Sequence, residues 1–524
     1  MKIKEPLVTG GQEWSFELLD EVYLHIQRIA TEKYKLDVYP NQLEIISSEQ
    51  MLDAYASVGL PVYYTHWSFG QKFIQQHEQY KRGQMGLAYE IVINSSPCIA
   101  YLMEENTMMM QTLVTAHASF GHNYFFKNNY LFKQWTDAEG IIDYLLFAKR
   151  YIRECEEKYG VDEVEAVLDA AHSLNHYGVD KYSRPVKMSA AEEENLRKER
   201  DQYIQSQLNQ IWNTIPKTRI DEVEEEIIHF PAEPQENILY FIEKHAPRME
   251  TWKREIIRIV RKIAQYFYPQ MQTQVMNEGC ATYFHYKIMS DLYEEGILDD
   301  GAWLEFISSH TNVIKQPEFD ETVKTKKGEV NIYSGINPYA LGFAMMMDIE
   351  RIAMDPTEED IEWFKDQEWV GSGDYVGAVQ HAIQNYKDES FIQQYLSPKV
   401  MRDFRFFAII DDEIDPKLEI SGIHNRQGYK TIRSALSESK NLGHLLPDIQ
   451  VTDVDRWGDR SLTLKHFMVN GRRLDAKSAI QTLEKISYLW GYNVKLESMD
   501  GDKITAVYAI EDDEKLLDIF EDDD

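Results

Sequence analysis

Residues 108–126 read MMMQTLVTAHASFGHNYFF, a helical run behind a plausible N-cap at Thr107. It sets two histidines, His117 and His122, inside otherwise apolar surroundings. On an ideal helix, five residues rotate by roughly 140°, at ~3.6 residues per turn. The two rings therefore share a ligand only if the helix bends or widens, which Gly121, directly before the second histidine, could permit. Two core histidines hydrogen-bonded to backbone would explain the same pattern.

Three further places compete for chemistry. In MNEGCATYFHYKIM, Glu278 and His285 are seven apart and lie on one helix face two turns from each other. Glu278 could equally be a first-turn acid stabilising the helix dipole. In LDAAHSLNHYG, His172 and His176 stand at i, i+4 with Asp169 one turn before. By periodicity that is the best two-histidine face, although His172 also flanks an apolar stripe of Val164, Val167, Ala171 and Leu174. His310 and Tyr339 form a looser pair of potential hydrogen-bond donors. The methionine runs 108–110 and 345–347 read most simply as packing material. No P-loop, dinucleotide fingerprint, GxSxG or zinc-finger spacing occurs.

The chain has 524 residues, enough for two to four domains. An amphipathic helix opens it over residues 15–33, and a β-hairpin over 89–94 and 98–102 flanks Ser95-Ser96-Pro97. Helical patterns follow over 136–180, 189–212, 236–295, 301–309, 337–353 and 372–395. An acidic, Pro-containing connector occupies 214–234. After Val400 the pattern becomes β-β-α-β-β-α-β-β, suggesting an α+β domain with internal duplication. The last residues, EDDEKLLDIFEDDD, read as a solvated acidic tail.

The formal charge of −33 repels phosphate backbones and anionic lipid, which argues against nucleic acid or membrane as the main partner. Cys98, Cys155 and Cys280 cannot frame a disulfide scaffold, and no apolar run approaches the ~18 residues of a membrane span. The first residues, MKIKEPLVTGGQEWSF, lack the apolar core of a signal peptide. A cytoplasmic location is expected.

Five long motifs in fixed order, AHASFGHNYFFKNNYLF, HSLNHYGVDKYSRP, YFYPQMQTQVMNEGCATYFHY, SGINPYALGFAMMMDI and DESFIQQYLSPKVMRDFRFF, resemble the stage V sporulation protein R (SpoVR) family over residues 12–510. The resemblance implies a part in sporulation, cell-envelope or stationary-phase stress physiology. It also implies association with a PrkA-type AAA+ serine kinase and a von Willebrand-factor-A-like protein. The run NEGCATYFH is in addition similar to the third-ligand region of gluzincin-type zinc peptidases, which place two histidines on an earlier helix. The departure from that pattern is Ala118, which stands where an HExxH motif has its glutamate base, and the histidine spacing is longer by one.

From this reading we expect a mainly α, zincin-like large domain with a small β-hairpin or edge sheet over residues 12–398. A smaller α+β domain over 399–510 and an acidic tail over 511–524 would follow. The expected centre holds Zn2+ or another divalent transition metal on His117, His122 and Glu278, with His285 as fourth ligand or as support behind them. If the protein is an enzyme, metal-dependent attack of water on an amide is the expected chemistry. His310 and Tyr339 would stabilise the oxyanion, His285 would assist, and Glu90 on the hairpin would replace the missing base. A scaffold with a closed metal site, docking the kinase and its companion, is the competing expectation.

Overall fold

The computed structural model describes residues 5–57, 63–68, 71–75, 90–181, 230–231, 233–318, 321–325, 328–331, 335–406, 409–410, 419–420, 425–469, 471–511 and 514–519. The helix expected over 189–212 lies outside these residues, as does nearly all of the connector over 214–234. The chain forms two compact units, one of residues 1–166 and 262–445, the other of residues 167–261 and 446–524. The division expected near residue 398 thus falls later in the chain. The segment 167–261 also belongs with the C-terminal sheet rather than with the helices on either side of it.

In the first unit, α1 (Phe16–Arg28) starts on Ser15, whose hydroxyl accepts from the Leu18 amide, and buries Leu19, Val22 and Ile26. A three-stranded sheet of order β1-β3-β2 comprises β1 (Asn41–Ile46), β2 (Glu90–Ile93) and β3 (Cys98–Met103). The antiparallel β2–β3 pair is the expected hairpin, with Tyr89 outside the described residues. β1 runs parallel to β3 and had no readable signature, because its residues show no burial alternation.

The core is helical: α2 (Met108–Ala116), α3 (Asn123–Asn128), α4 (Gln274–Glu294), α5 (Asp300–Val313), α6 (Pro338–Met354), α7 (Tyr375–Asn385) and α8 (Asp388–Tyr395). Every residue of α2 is buried, and α4 buries residues around its whole circumference. Such helices sit inside a large core rather than on its surface. Asp388 caps α4: its carboxylate accepts from the Val275 and Met276 amides at 2.8 and 2.9 Å. Helices α4 and α6 cross glycine on glycine. A Cβ on Gly342 would lie 2.1 Å from the Val275 carbonyl oxygen, and one on Gly279 2.6 Å from Gly342 Cα. Only this close approach brings Tyr339, at the start of α6, beside Glu278 on α4.

Two small hairpins, β4 (Thr322–Thr325) with β5 (Gly328–Asn331) and β6 (Ile409–Ile410) with β7 (Glu419–Ile420), also belong to the first unit. The expected duplication therefore does not form. The strands β6 and β7 are two residues long and pair only with each other among the described residues, and with the helix Arg426–Glu438 they belong to the first unit.

That second sheet, of order β12-β11-β10-β9-β8, contains β8 (Asp448–Val454), β9 (Leu462–Phe467), β10 (Val494–Asp500), β11 (Lys503–Glu511) and β12 (Glu514–Ile519). Helix α9 (Ala476–Trp490) joins β9 to its parallel neighbour β10 and buries Ala479, Leu483, Ile486, Leu489 and Trp490. Within the expected acidic tail over 511–524, the described residues are solvated as expected but form the strand β12. Its backbone pairs with β11 along its whole length, while Glu514, Lys515 and Asp518 keep the sheet edge charged. Among the described residues no helix is long and apolar enough to cross a membrane.

Candidate metal centre

Between α2 and α3 the helix widens. Residues His117–His122 form a π-helical turn, in which the Asn123 amide donates to the Ala118 carbonyl five residues back. In such a widened turn residues five apart come round to the same face, so the spacing that separates two rings on an α-helix brings them together here, edge to face. The His117 and His122 rings lie 4.7 Å apart, centroid to centroid. Gly121 serves this turn by absence of bulk. A Cβ there would meet Ala281 Cα at 2.4 Å, so the widened turn lies directly against the backbone of α4.

Helix α4 supplies the third group. One nitrogen of each histidine and one Glu278 carboxylate oxygen lie within 4.8 Å of one another, a set that could hold a metal ion. His122 Nε2 is 3.6 Å from Glu278 Oε2, too far for a hydrogen bond. It is close to the ~3.3 Å that separates ligands around a tetrahedral ion at ~2.0–2.1 Å. Two atoms of the cluster, His117 Nε2 and Glu278 Oε2, are buried with no hydrogen-bond partner among the described residues. Orphaned buried polar atoms cost about 1–3 kcal/mol each. A cation between them satisfies both, and the donor set fits a borderline divalent metal such as zinc.

The ring orientations agree. His122 Nδ1 meets Asn277 Oδ1 at 3.0 Å, so Nδ1 carries the proton and Nε2 keeps its lone pair. Asn277 was not singled out in the sequence. Its only signal is adjacency to Glu278, which turns it along the same helix toward His122. Burial, followed by the neighbouring histidines His122, His285 and His310, drives the His117 value well below its usual range, which keeps the ring neutral and able to ligate. Burial raises the Glu278 carboxyl, opposed by His122 and by a hydrogen bond from Tyr339.

The remaining candidates fall into distinct places. Of the two places expected for His285, the hydrogen bonds fit the supporting one: its Nδ1 pairs with His117 Nδ1 at 2.7 Å and its Nε2 with His310 Nδ1 at 2.9 Å, so both ring nitrogens are engaged. Among the described residues His310 pairs with His285 rather than with the cluster itself, one ring further back than an oxyanion donor would stand. Tyr339 is at the cluster, bonded to Glu278 and with its ring nearly parallel to that of His117. Glu90 reaches in from β2, with Oε1 3.7 Å from His117 Nε2. His172 and His176 belong to the second unit and do not share a helix face. The helix Val161–Ser173 ends before His176, which sits in a 3-10 turn over Asn175–Tyr177.

The Glu90 carboxyl carries a pH signature. Burial, and after it the charge of Glu278, pushes its value from 4.5 up to about 8. The folded state then holds this proton more tightly than the unfolded state. The associated stability is complete below about 4.5 and is lost as pH rises toward 8. Chelator-treated Glu90→Gln protein should therefore be more stable than wild type at pH 8 by roughly 4 kcal/mol. That gain should shrink toward zero near pH 5. Denaturant midpoints at the two pH values provide the comparison, and a gap independent of pH would refute the assignment.

Comparison with known proteins covers both units. A family model described as "SpoVR like protein" matches residues 13–445, and one described as "SpoVR-like C-terminal domain" matches residues 447–501. A protein of Escherichia coli (strain K12), described as "Uncharacterized protein YcgB", is 55% identical over 495 residues, 94% of each chain. No solved structure matches.

Proposed function

This chain belongs to the SpoVR family, and we propose that it is a metal-dependent hydrolase acting on an amide. On this reading His117, His122 and Glu278 would hold one divalent transition metal, zinc or a near relative. The observation that carries this reading is the pair of orphaned buried atoms, His117 Nε2 and Glu278 Oε2, in a cluster that His285 does not close. When bound, such an ion supplies Lewis acidity toward a carbonyl and lowers the pKa of a water molecule.

The chain's own residues would do the rest. Asn277 and His285 keep the Nε2 lone pairs of His122 and His117 turned toward the centre. Tyr339 holds Glu278 through its hydroxyl, and on leaving Glu278 its one phenolic proton would serve a developing oxyanion. Glu90, at about 8, would take a proton at Oε1 through the deprotonated fraction that grows as pH rises toward 8, the task left open by Ala118. In the cell the protein would act in the cytoplasm in sporulation, envelope or stationary-phase stress physiology, with a PrkA-type AAA+ kinase and a von Willebrand-factor-A-like protein. These roles rest on the family. Since mature peptidoglycan lies outside the cytoplasm, an envelope effect would pass through precursors or regulation.

A second reading is supported by one distance. Glu90 Oε1 stands 3.7 Å from His117 Nε2, nearly the separation of the His122–Glu278 pair. As a fourth ligand Glu90 would close the site and make it structural, in a scaffold that docks the same partners. Elemental analysis and complementation of a deletion strain separate the two. For the hydrolase, wild type holds about one equivalent of metal, and Glu90→Gln keeps that metal but fails to complement. Metal lost together with Glu90 favours the closed site. Full complementation by a metal-free His117→Ala protein would sink the hydrolase.

A further inference from the structure

Behind the candidate ligands stand two more histidines in series. His117 Nδ1 meets His285 Nδ1 at 2.7 Å, and His285 Nε2 meets His310 Nδ1 at 2.9 Å. We propose that His285 and His310 are positioning residues that set the tautomer of His117, so that metal affinity at the centre depends on a hydrogen-bond acceptor on α5. The inference rests on the reading that His117 holds the ion.

The argument is one of proton counting. A neutral imidazole has one N–H and one lone pair. With both His285 nitrogens engaged, the row can be hydrogen-bonded in only two ways. In one, His310 Nδ1–H donates to His285 Nε2 and His285 Nδ1–H donates to His117 Nδ1. His117 then carries its proton on Nε2, the atom facing Glu278 and Glu90, and cannot ligate. In the other, every bond runs outward. His117 Nδ1–H donates to His285 Nδ1, His285 Nε2–H donates to His310 Nδ1, and His117 Nε2 keeps its lone pair for the metal. Ligation selects the second arrangement and leaves His310 protonated on Nε2.

The surroundings keep the row neutral and fix the last ring. His285 and His310 are both buried, with almost no edge left to water. The His310 ring is stacked on Tyr286 at 5.1 Å and met edge-on by Phe343 at 4.9 Å, with Phe306 at 5.6 Å. A metal-bound histidine ordinarily donates its other N–H to a carboxylate, a carbonyl or water. Here the acceptor is another imidazole, and its capacity to accept depends on a third.

The test uses full-length protein, with zinc and cobalt(II) as probes in competition with a chelator. His310→Phe keeps an aromatic ring in an aromatic cage but removes the acceptor. It should weaken zinc binding about tenfold, the low end of the 10–100-fold typical of residues supporting a ligand, while thermal unfolding of the metal-free protein stays at the wild-type value. His310→Asn, whose Oδ1 stands in for Nδ1, should recover most of that loss. Long-range proton–nitrogen spectra of zinc-loaded wild type should show His310 protonated on Nε2 and not on Nδ1, a readout that needs no variant to fold. Wild-type zinc affinity in His310→Phe, or a proton on His310 Nδ1 in the loaded protein, would overturn the relay while leaving the ligand set intact. A wild-type protein that binds neither probe would overturn both.

Discussion

Glu278→Ala should yield a folded protein that no longer binds zinc. The carboxylate is the only acidic member of the three-residue cluster, and its Oε2 is buried with no hydrogen-bond partner among the described residues. Removing it deletes the charge that balances the cation and one of three ligands. The affinity loss should therefore exceed the 10–100-fold expected from residues that merely support a ligand, reaching more than about 100-fold. The fold should not suffer, because burial of this group opposes its charged form. In the metal-free state alanine relieves that cost, so the variant should match or exceed wild-type stability at pH 8. Zinc at a hundred times its Kd should add ~2.7 kcal/mol to wild-type unfolding and nothing measurable to the variant. Chelator competition and thermal melts with and without zinc make the measurement. If Glu278→Ala is stabilised by zinc as much as wild type, the centre is elsewhere.

Gly342→Val is expected to cost stability and site together. Its Cβ would fall 2.1 Å from the Val275 carbonyl oxygen and 2.7 Å from Gly279 Cα, and both obstacles are backbone within a buried helix. No side chain can rotate away, so α4 and α6 must separate. Overpacking a core usually costs 1–3 kcal/mol; with backbone on both sides, about 3 kcal/mol or more is expected here. The same movement carries Tyr339 away from Glu278, so zinc affinity should fall in whatever fraction folds. Urea midpoints of wild type, Gly342→Ala and Gly342→Val should decrease in that order. Equal midpoints for all three would mean that the helices do not meet as closely as the structure shows.

Several parts of this architecture were legible from local pattern alone. The 3.6-residue stripe Leu19, Val22, Ile26 marks α1, two apolar runs around Ser95-Ser96-Pro97 mark the hairpin, and Thr107 marks the start of α2 by its hydroxyl cap. Each is a matter of dihedral preference or of one hydrogen bond within a few residues. Other parts gave no local sign. β1 shows no burial alternation and so no period of two. The last residues read as charged and solvated, and those described are exposed, but the strand β12 itself gave no sign, because backbone pairing with β11 is indifferent to the exposed carboxylates. The His172 and His176 face failed because periodicity assumes that the helix continues, and it ends at Ser173.

The candidate site divides along the same line. By itself the sequence determined the residue types and their order: two histidines five apart with a glycine between, then a glutamate followed seven residues later by another histidine. It also set the condition on which a shared ligand depends, a widened helix. Only the tertiary structure decided that the condition is met, through a π-turn pressed against Ala281 where no Cβ would fit. It decided too that His285 stands behind the cluster, held by His117 from 168 residues away and by His310 from 25. Spacing along a chain reports the dihedral angles of one segment. Which atoms converge is set by how closely buried helices approach one another, and here that approach depends on glycines whose partners lie far away in sequence.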